Sequence, residues 1–178
     1  QKLGVEIKGE GAPYIKSAND TTWSGLSLPW ISHGYELALT PLQILTFYNA
    51  VANNGKMMKP MFARSIDSYG VPVQEFEPVV LKQQIASKET IAMAREMLEA
   101  LATDGTAKNL SNTSFSVAGK TGTAQVSKGA KGYGARGRVS YQASFCGYFP
   151  AEKPLYSCIV VVNAPSRSVY YGNLVAGP

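Results

Sequence analysis

Phe115-Ser116-Val117-Ala118-Gly119-Lys120-Thr121-Gly122-Thr123-Ala124-Gln125-Val126 is the stretch on which the reading of this 178-residue chain turns. Short apolar runs, partly β-branched, flank a polar centre, a pattern that suits a strand better than a helix. Alternation along a strand sends Thr121 and Thr123 to one face and Lys120 and Gly122 to the other. A cation, two hydroxyls and a backbone left approachable by a missing Cβ then gather within about 10 Å. Such a group suits a substrate that carries a carboxylate and develops an oxyanion.

Lys-Thr-Gly alone is a weak signal, and an ordinary strand end with a solvated lysine explains it equally well. A phosphate-binding loop is a sharper rival, because Gly119-Lys120-Thr121 spells the end of G-x-x-x-x-G-K-[ST]. That motif needs glycine five residues before Gly119, where Ser114 stands. It also needs a strand before the loop, whereas strand-like sequence here runs through the lysine.

Two further blocks give the motif its context. Ile31-Ser-His-Gly-Tyr-Glu-Leu-Ala-Leu-Thr40-Pro-Leu-Gln43 leads into Ala50-Val-Ala-Asn-Asn-Gly55-Lys56 and Lys59-Pro60. In this order, with K-T-G-T-A downstream, the chain resembles the transpeptidase domain of penicillin-binding proteins, most closely the class B, cell-division group. K-T-G belongs with S-x-x-K and S-x-N in the signature set of these enzymes and of serine β-lactamases. No S-x-x-K occurs in the chain. Ser17-Ala18-Asn19 spells S-x-N, but it lies in a segment that resembles the family's stretch downstream of the genuine motif, so it reads as a polar turn. Residues 1–178 are therefore expected to be the C-terminal portion of one transpeptidase domain. Gly172 to Pro178 resembles the start of that family's last helix.

The resemblance implies a peptidoglycan DD-transpeptidase that forms a serine acyl-enzyme and binds β-lactams. Carried onto this chain, Lys120 supplies positive potential, and Thr121 and Thr123 hydrogen-bond the substrate carboxylate. The Thr123 N–H helps build the oxyanion hole, and Gly122 keeps the strand open. The nucleophile would lie upstream, and no cofactor or metal is implied. The implied partners are the D-Ala-D-Ala stem peptide, β-lactams and, for a parent anchored in the inner membrane and facing the periplasm, a cell-division glycosyltransferase; no nucleic acid is implied. Alternatives are a β-lactam sensor or serine β-lactamase relative on the same fold, and a basic nucleic-acid-binding or interaction module.

Composition sets the outer limits. At 45% hydrophobic the chain is one domain's worth with a sizeable core. The net charge of +5 comes partly from Lys128, Lys131, Arg136 and Arg138 in the glycine-rich segment 127–140. That segment reads as a solvated loop, as a loop beside the site that steers anions, or, with Tyr133 and Tyr141, as a single-strand binder. His33 is the only histidine, which leaves no histidine-based triad unless it serves; a packing or hydrogen-bonding role at a helix start suits it better. Cys146 and Cys158 make neither a disulfide framework nor a metal site. Counting outward from Pro150–Pro154 sets them opposite each other on paired strands, as free buried thiols.

Periodicity and punctuation place the coarse elements. Residues 1–39 read as long irregular surface structure. Thr40-Pro41-x-Gln43 starts a helix with a capping box, with Ile44, Leu45, Tyr48, Val51 and Ala52 as its apolar stripe, and Asn54-Gly55 stops it. Phe62–Ile66 and Val71–Phe76 flank Ser68-Tyr-Gly70 as a hairpin. Ser87 caps a second helix with Ile91, Ala94, Met97, Leu98 and Leu101 inward, and Asp104-Gly105 ends it. Tyr141–Phe149 and Leu155–Asn163 form an antiparallel pair, with Ile159–Val162 buried on both faces. The fold class is α/β, in an α+β layered arrangement of helices flanking an antiparallel sheet. Part of its apolar surface should remain uncovered.

Overall fold

The computed structural model describes residues 2–110, 114–126, 139–165 and 169–178. In chain order its elements are β1 (Tyr14–Ile15), α1 (Ser27–Ser32), β2 (Leu37–Ala38), α2 (Pro41–Ala52), β3 (Met57–Met58), β4 (Ser65–Ser68), β5 (Val71–Glu75), β6 (Val80–Lys82), α3 (Lys88–Thr103), a 3-10 turn (Lys108–Leu110), β7 (Ala118–Val126), β8 (Ser140–Phe149), β9 (Tyr156–Asn163) and α4 (Gly172–Val175). Two compact units are built from them, residues 1–44 with 59–79 and residues 45–58 with 80–178.

In the first unit, β1 pairs with β2 and β4 with β5, both antiparallel. The region expected to be irregular also contains α1, closed at its C-cap by His33, so this histidine ends a helix rather than starting one. Its Nδ1 lies 2.9 Å from the Pro29 carbonyl oxygen. The expected hairpin is present, but its first strand begins at Ser65. Tyr69 and Gly70, at φ 50° and 80°, give the turn the left-handed pair that two-residue hairpins favour. The capping box at α2 closes both ways: the Thr40 N–H donates to Gln43 Oε1 at 2.9 Å and the Gln43 N–H to Thr40 Oγ1 at 3.2 Å.

The second unit is layered. β7, β8 and β9 form an antiparallel sheet in that order. Ala118 and Tyr148 on one face meet Ala52 of α2 and Leu98 of α3. Phe145 on the other face meets Ala107, Leu110 and Ala176, with Leu101, Val117, Cys158 and Val162 around them. Both helices have the expected punctuation. Gly55, at φ 92°, donates its N–H to the Ala50 carbonyl behind α2, and the Ser87 hydroxyl caps α3 by accepting from the Thr90 N–H.

Four expectations need correction. Met97 is 71% exposed, and the buried residue near the end of α3 is Ala102. The stripe of α2 is likewise shifted: Thr46 and Ala50 are buried with Val51 and Ala52, while Ile44, Leu45 and Tyr48 are half-buried. Along Ile159–Val162, Val160 is 42% exposed and the rest half-buried. β9, like β7, is an outer strand of this sheet, so among the described residues it has a paired strand on one flank only.

The cysteines are the fourth case. The ladder pairs Cys146 with Ile159 and Cys158 with Gly147, not with each other. Phe149 pairs with Tyr156, so six residues, 150–155, connect the strands and the centre of symmetry falls between Glu152 and Lys153. That one-residue offset sends the two side chains to opposite faces. Both are free, and burial pushes the Cys146 thiol up to about 12 and raises that of Cys158. Since the thiolate is the nucleophile, native alkylation at pH 8 should be slow at both, slower at Cys146, and should accelerate as pH rises. Intact mass after labelling in denaturant without reductant should show two adducts; one or none would mean the sulfurs had been oxidised.

Candidate active site

β7 carries the candidate residues, and its partner strand fixes where each one points. Nine residue pairs run from Ala118↔Tyr148 to Val126↔Ser140 without a break. Two glycines face each other in that ladder, Gly119 and Gly147. A Cβ on Gly119 would stand 2.6 Å from the Cys146 carbonyl oxygen and 2.8 Å from Phe145 Cζ; one on Gly147 would stand 2.4 Å from the Ala118 carbonyl oxygen and 3.0 Å from the same Cζ. The Phe145 ring thus occupies the space of both missing side chains. This is the aromatic filling of a glycine pair that keeps a strand from going slack.

With the register fixed, the strand alternates as its sequence implies. Thr121 and Thr123 share the Phe145 face, since they pair with Phe145 and Ala143. Lys120 and Gly122 share the other face with Cys146 and Ser144. Lys120 is exposed and donates from Nζ to the Thr121 carbonyl at 2.7 Å; among the described residues it is in no ion pair. The Thr121 and Thr106 hydroxyls lie 3.0 Å apart. Thr123 Oγ1 accepts the Gly172 N–H at 3.0 Å. The sequence by itself does not point to Thr106 or Gly172 as part of the site. No motif marks them, because each reaches β7 only through the packing of the α3 end and of α4.

Gly122 is open in a different sense from Gly119. A Cβ there would meet only the Ser144 hydroxyl, at 2.6 Å, a group that can rotate away. Behind this face, Cys146 is buried and Tyr48 half-buried, and the loss of solvent pushes the Tyr48 phenol up to about 12.

Other chemistry-bearing groups lie apart from β7 in the chain and are accounted for locally. Ser17 closes a turn by donating its N–H to Asp20 Oδ2 at 2.6 Å while its hydroxyl accepts from the Asn19 N–H. Lys16, almost wholly buried, pairs with Glu36 at 2.7 Å. An apolar cavity of about 290 Å³, lined by Ile7, Pro60, Met61, Phe62, Phe76 and Val79 with Glu6, Lys59 and Glu77, offers no serine, cysteine or histidine. Among the described residues no cluster of three or more His, Cys, Asp or Glu could hold a metal, and no helix is long and apolar enough to cross a membrane. Lys128, Lys131, Tyr133, Arg136 and Arg138 lie outside the described residues.

An antiparallel sheet between helices, with Lys-Thr-Gly-Thr on its outer strand, is the layout of a penicillin-recognising domain. The model of the penicillin binding protein transpeptidase domain matches residues 1–178, and the chain belongs to that family, in the class B group. It is 29% identical over its whole length to stage V sporulation protein D of Bacillus subtilis, of which it covers 27%. It is 28% identical over 159 residues to the peptidoglycan D,D-transpeptidase FtsI of Escherichia coli, covering 88% of this chain and 24% of that protein. The chain thus spans about a quarter of the length of these curated relatives. Among solved structures, penicillin-binding protein 3 of Mycobacterium tuberculosis in its apo form superposes with a TM-score of 0.77 at 27% identity, over 94% of this chain and 38% of that one. Penicillin-binding protein 2B of Streptococcus pneumoniae shares the fold, with a TM-score of 0.75 at 20% identity over 97% of this chain and 27% of that one.

The two kinds of glycine separate experimentally. Gly119→Ala drives a Cβ into backbone and should lower the unfolding free energy of the protein by about 1–3 kcal/mol, the usual cost of overpacking. Gly122→Ala meets only a rotatable hydroxyl and should stay within about 1 kcal/mol of wild type. Urea titration measures both.

Proposed function

We propose that this chain is the part of a peptidoglycan DD-transpeptidase that supplies the substrate-facing strand of an acyl-transfer site. The observation that carries the reading is β7: an outer strand presenting an exposed lysine free of any carboxylate among the described residues, beside Thr121, Gly122 and Thr123. A serine outside this chain attacks the carbonyl between the two terminal D-alanines of a stem peptide. The peptide C–N bond breaks and D-alanine leaves. The acyl group then passes from the serine oxygen to an amine on a neighbouring stem.

On β7, Lys120 provides positive potential for the substrate's terminal carboxylate and the serine-bearing motifs. The Thr121 carbonyl accepts the Lys120 ammonium. By the alternation of an antiparallel ladder the backbone groups of Thr123 turn to the same edge as those of Thr121, which suits the Thr123 N–H to an oxyanion. Each threonine hydroxyl already has one protein partner. A carboxylate only accepts: Thr123, which accepts from Gly172, keeps its proton for one, and Thr121 does so when Thr106 is the donor of their shared contact. A structure of the M. tuberculosis relative is complexed with ampicillin and another with aztreonam. β-Lactams occupying the same strand edge follow for this protein from the shared chemistry of a carboxylate beside an acylating carbonyl. Anchoring in the inner membrane, a periplasmic site and work beside a cell-division glycosyltransferase complete the proposal for the whole protein.

The test is acylation by a fluorescent penicillin. The full-length protein should label stoichiometrically, and the 178-residue chain should not, since it holds no serine in S-x-x-K. Lys120→Ala should keep the fold and lower the labelling rate by on the order of 10²-fold, the scale of losing one preorganised charge partner of the transition state. Labelling of the short chain, or an unchanged rate in the Lys120→Ala protein, would overturn the assignment.

A further inference from the structure

Gly172 opens α4 with its N–H directed at Thr123 Oγ1, 3.0 Å away. Why glycine stands there is a question of space, not of backbone conformation, because Gly172 is not among the residues with positive φ. A Cβ at this position would lie 2.5 Å from the Gly122 carbonyl oxygen, 2.6 Å from the Ser144 carbonyl oxygen and 3.2 Å from the Gly122 nitrogen. All three are backbone atoms of the sheet, and none can rotate aside. Any side chain would lift α4 from β7 and β8 and draw the N–H out of reach of Thr123.

The contact is held from both sides. Ahead of it, the Tyr170 ring stacks on Tyr141 of β8, with centroids 4.0 Å apart, and leans at a tilt against Tyr171. Behind it, Ala176 is buried against Phe145, and Asn109 Nδ2 donates to the Asn173 carbonyl at 2.8 Å. The Gly172 N–H is therefore a fixed donor presented to a hydroxyl of the candidate site.

The geometry points to Gly172 as a positioning residue that orients the Thr123 hydroxyl for the substrate carboxylate, an inference that rests on the transpeptidase reading. A threonine hydroxyl left to itself can turn its proton toward any acceptor. With one lone pair occupied by the Gly172 N–H, the proton cannot face that donor and is turned away from α4. It is then already placed to be donated to an anion bound along β7. A hydroxyl oriented before binding costs no reorganisation when the anion arrives.

The test is a double-mutant cycle in the full-length protein, read as the acylation rate with a fluorescent penicillin. Gly172→Ala should slow acylation about tenfold and Thr123→Val by a similar factor, less than the loss of a donor that touches the oxyanion itself. If Gly172 acts through the hydroxyl, adding Gly172→Ala to Thr123→Val should cost no more than about threefold further, because coupled residues are not additive. Thr123→Ser, which keeps the hydroxyl, should stay sensitive to Gly172→Ala. A wild-type rate for Gly172→Ala, or its full loss repeated on top of Thr123→Val, would overturn the inference. Should Gly172→Ala fail to fold, hydrogen exchange at the Gly172 amide decides: it should be faster in Thr123→Val than in wild type, and equal exchange would refute the contact. A wild-type protein that never labels would remove the transpeptidase reading and this inference together. A labelled wild type with an insensitive Gly172→Ala removes this inference alone.

Discussion

The nine-pair ladder between β7 and β8 is the constraint on which the rest of the second unit depends. It closes only because Gly119 and Gly147 let the two backbones meet and the Phe145 ring fills what they leave empty. A slip of one residue would carry Lys120 to the Phe145 face and both threonines to the opposite one. The core would then have to accept an ammonium, and the Gly172 N–H would have no hydroxyl to meet. Register, core and candidate site are thus fixed by one packing event around Phe145.

Electrostatics on β7 depends on how open it is. Lys120 is exposed, so a carboxylate at about 4 Å would gain only about 1 kcal/mol in fully aqueous surroundings. At the effective dielectric of a protein surface the same pair is worth about 4 kcal/mol. An exposed lysine on a bare strand edge is accordingly a weak anion trap, and on the proposed transpeptidase reading it would become a strong one where substrate and a serine-bearing segment outside this chain exclude water. This is the physical reason for assigning β7 a share of a site rather than a whole one. It also fits a chain that covers about a quarter of its curated relatives.

What was legible in the sequence was local. Thr40 with Gln43, Ser87 with Thr90, and Asn54-Gly55 announce helix ends within three or four residues, and each makes the expected hydrogen bond or turn. Lys120 and Thr121 separate onto opposite faces because strand alternation needs no tertiary information. The misses in the core and at the candidate site are nonlocal. Whether Met97 or Ala102 is buried depends on which side of α3 meets β7 and the 3-10 turn, and apolarity cannot tell. The offset between Cys146 and Cys158 depends on whether the connection after Phe149 holds an odd or an even number of residues, a one-residue matter that pattern reading does not resolve. Thr106 lies 15 residues before Thr121, and Gly172 49 residues after Thr123.

Gly172 shows how site geometry can be drawn from packing. α4 has four residues, too few to be stable as a helix by itself. Its position comes from Ala176 in the Phe145 cluster, from Asn109 holding the Asn173 carbonyl, and from the Tyr141–Tyr170 stack. The N–H that meets Thr123 is therefore as rigid as the core beneath it, and no side chain at the site has to be ordered for it. The same Phe145 that lets β7 pair with β8 also seats Ala176. Disturbing that ring would loosen the ladder carrying Lys120 and the short helix that holds Thr123, so fold and site should fail together there, whereas Lys120 itself can be lost with the fold intact.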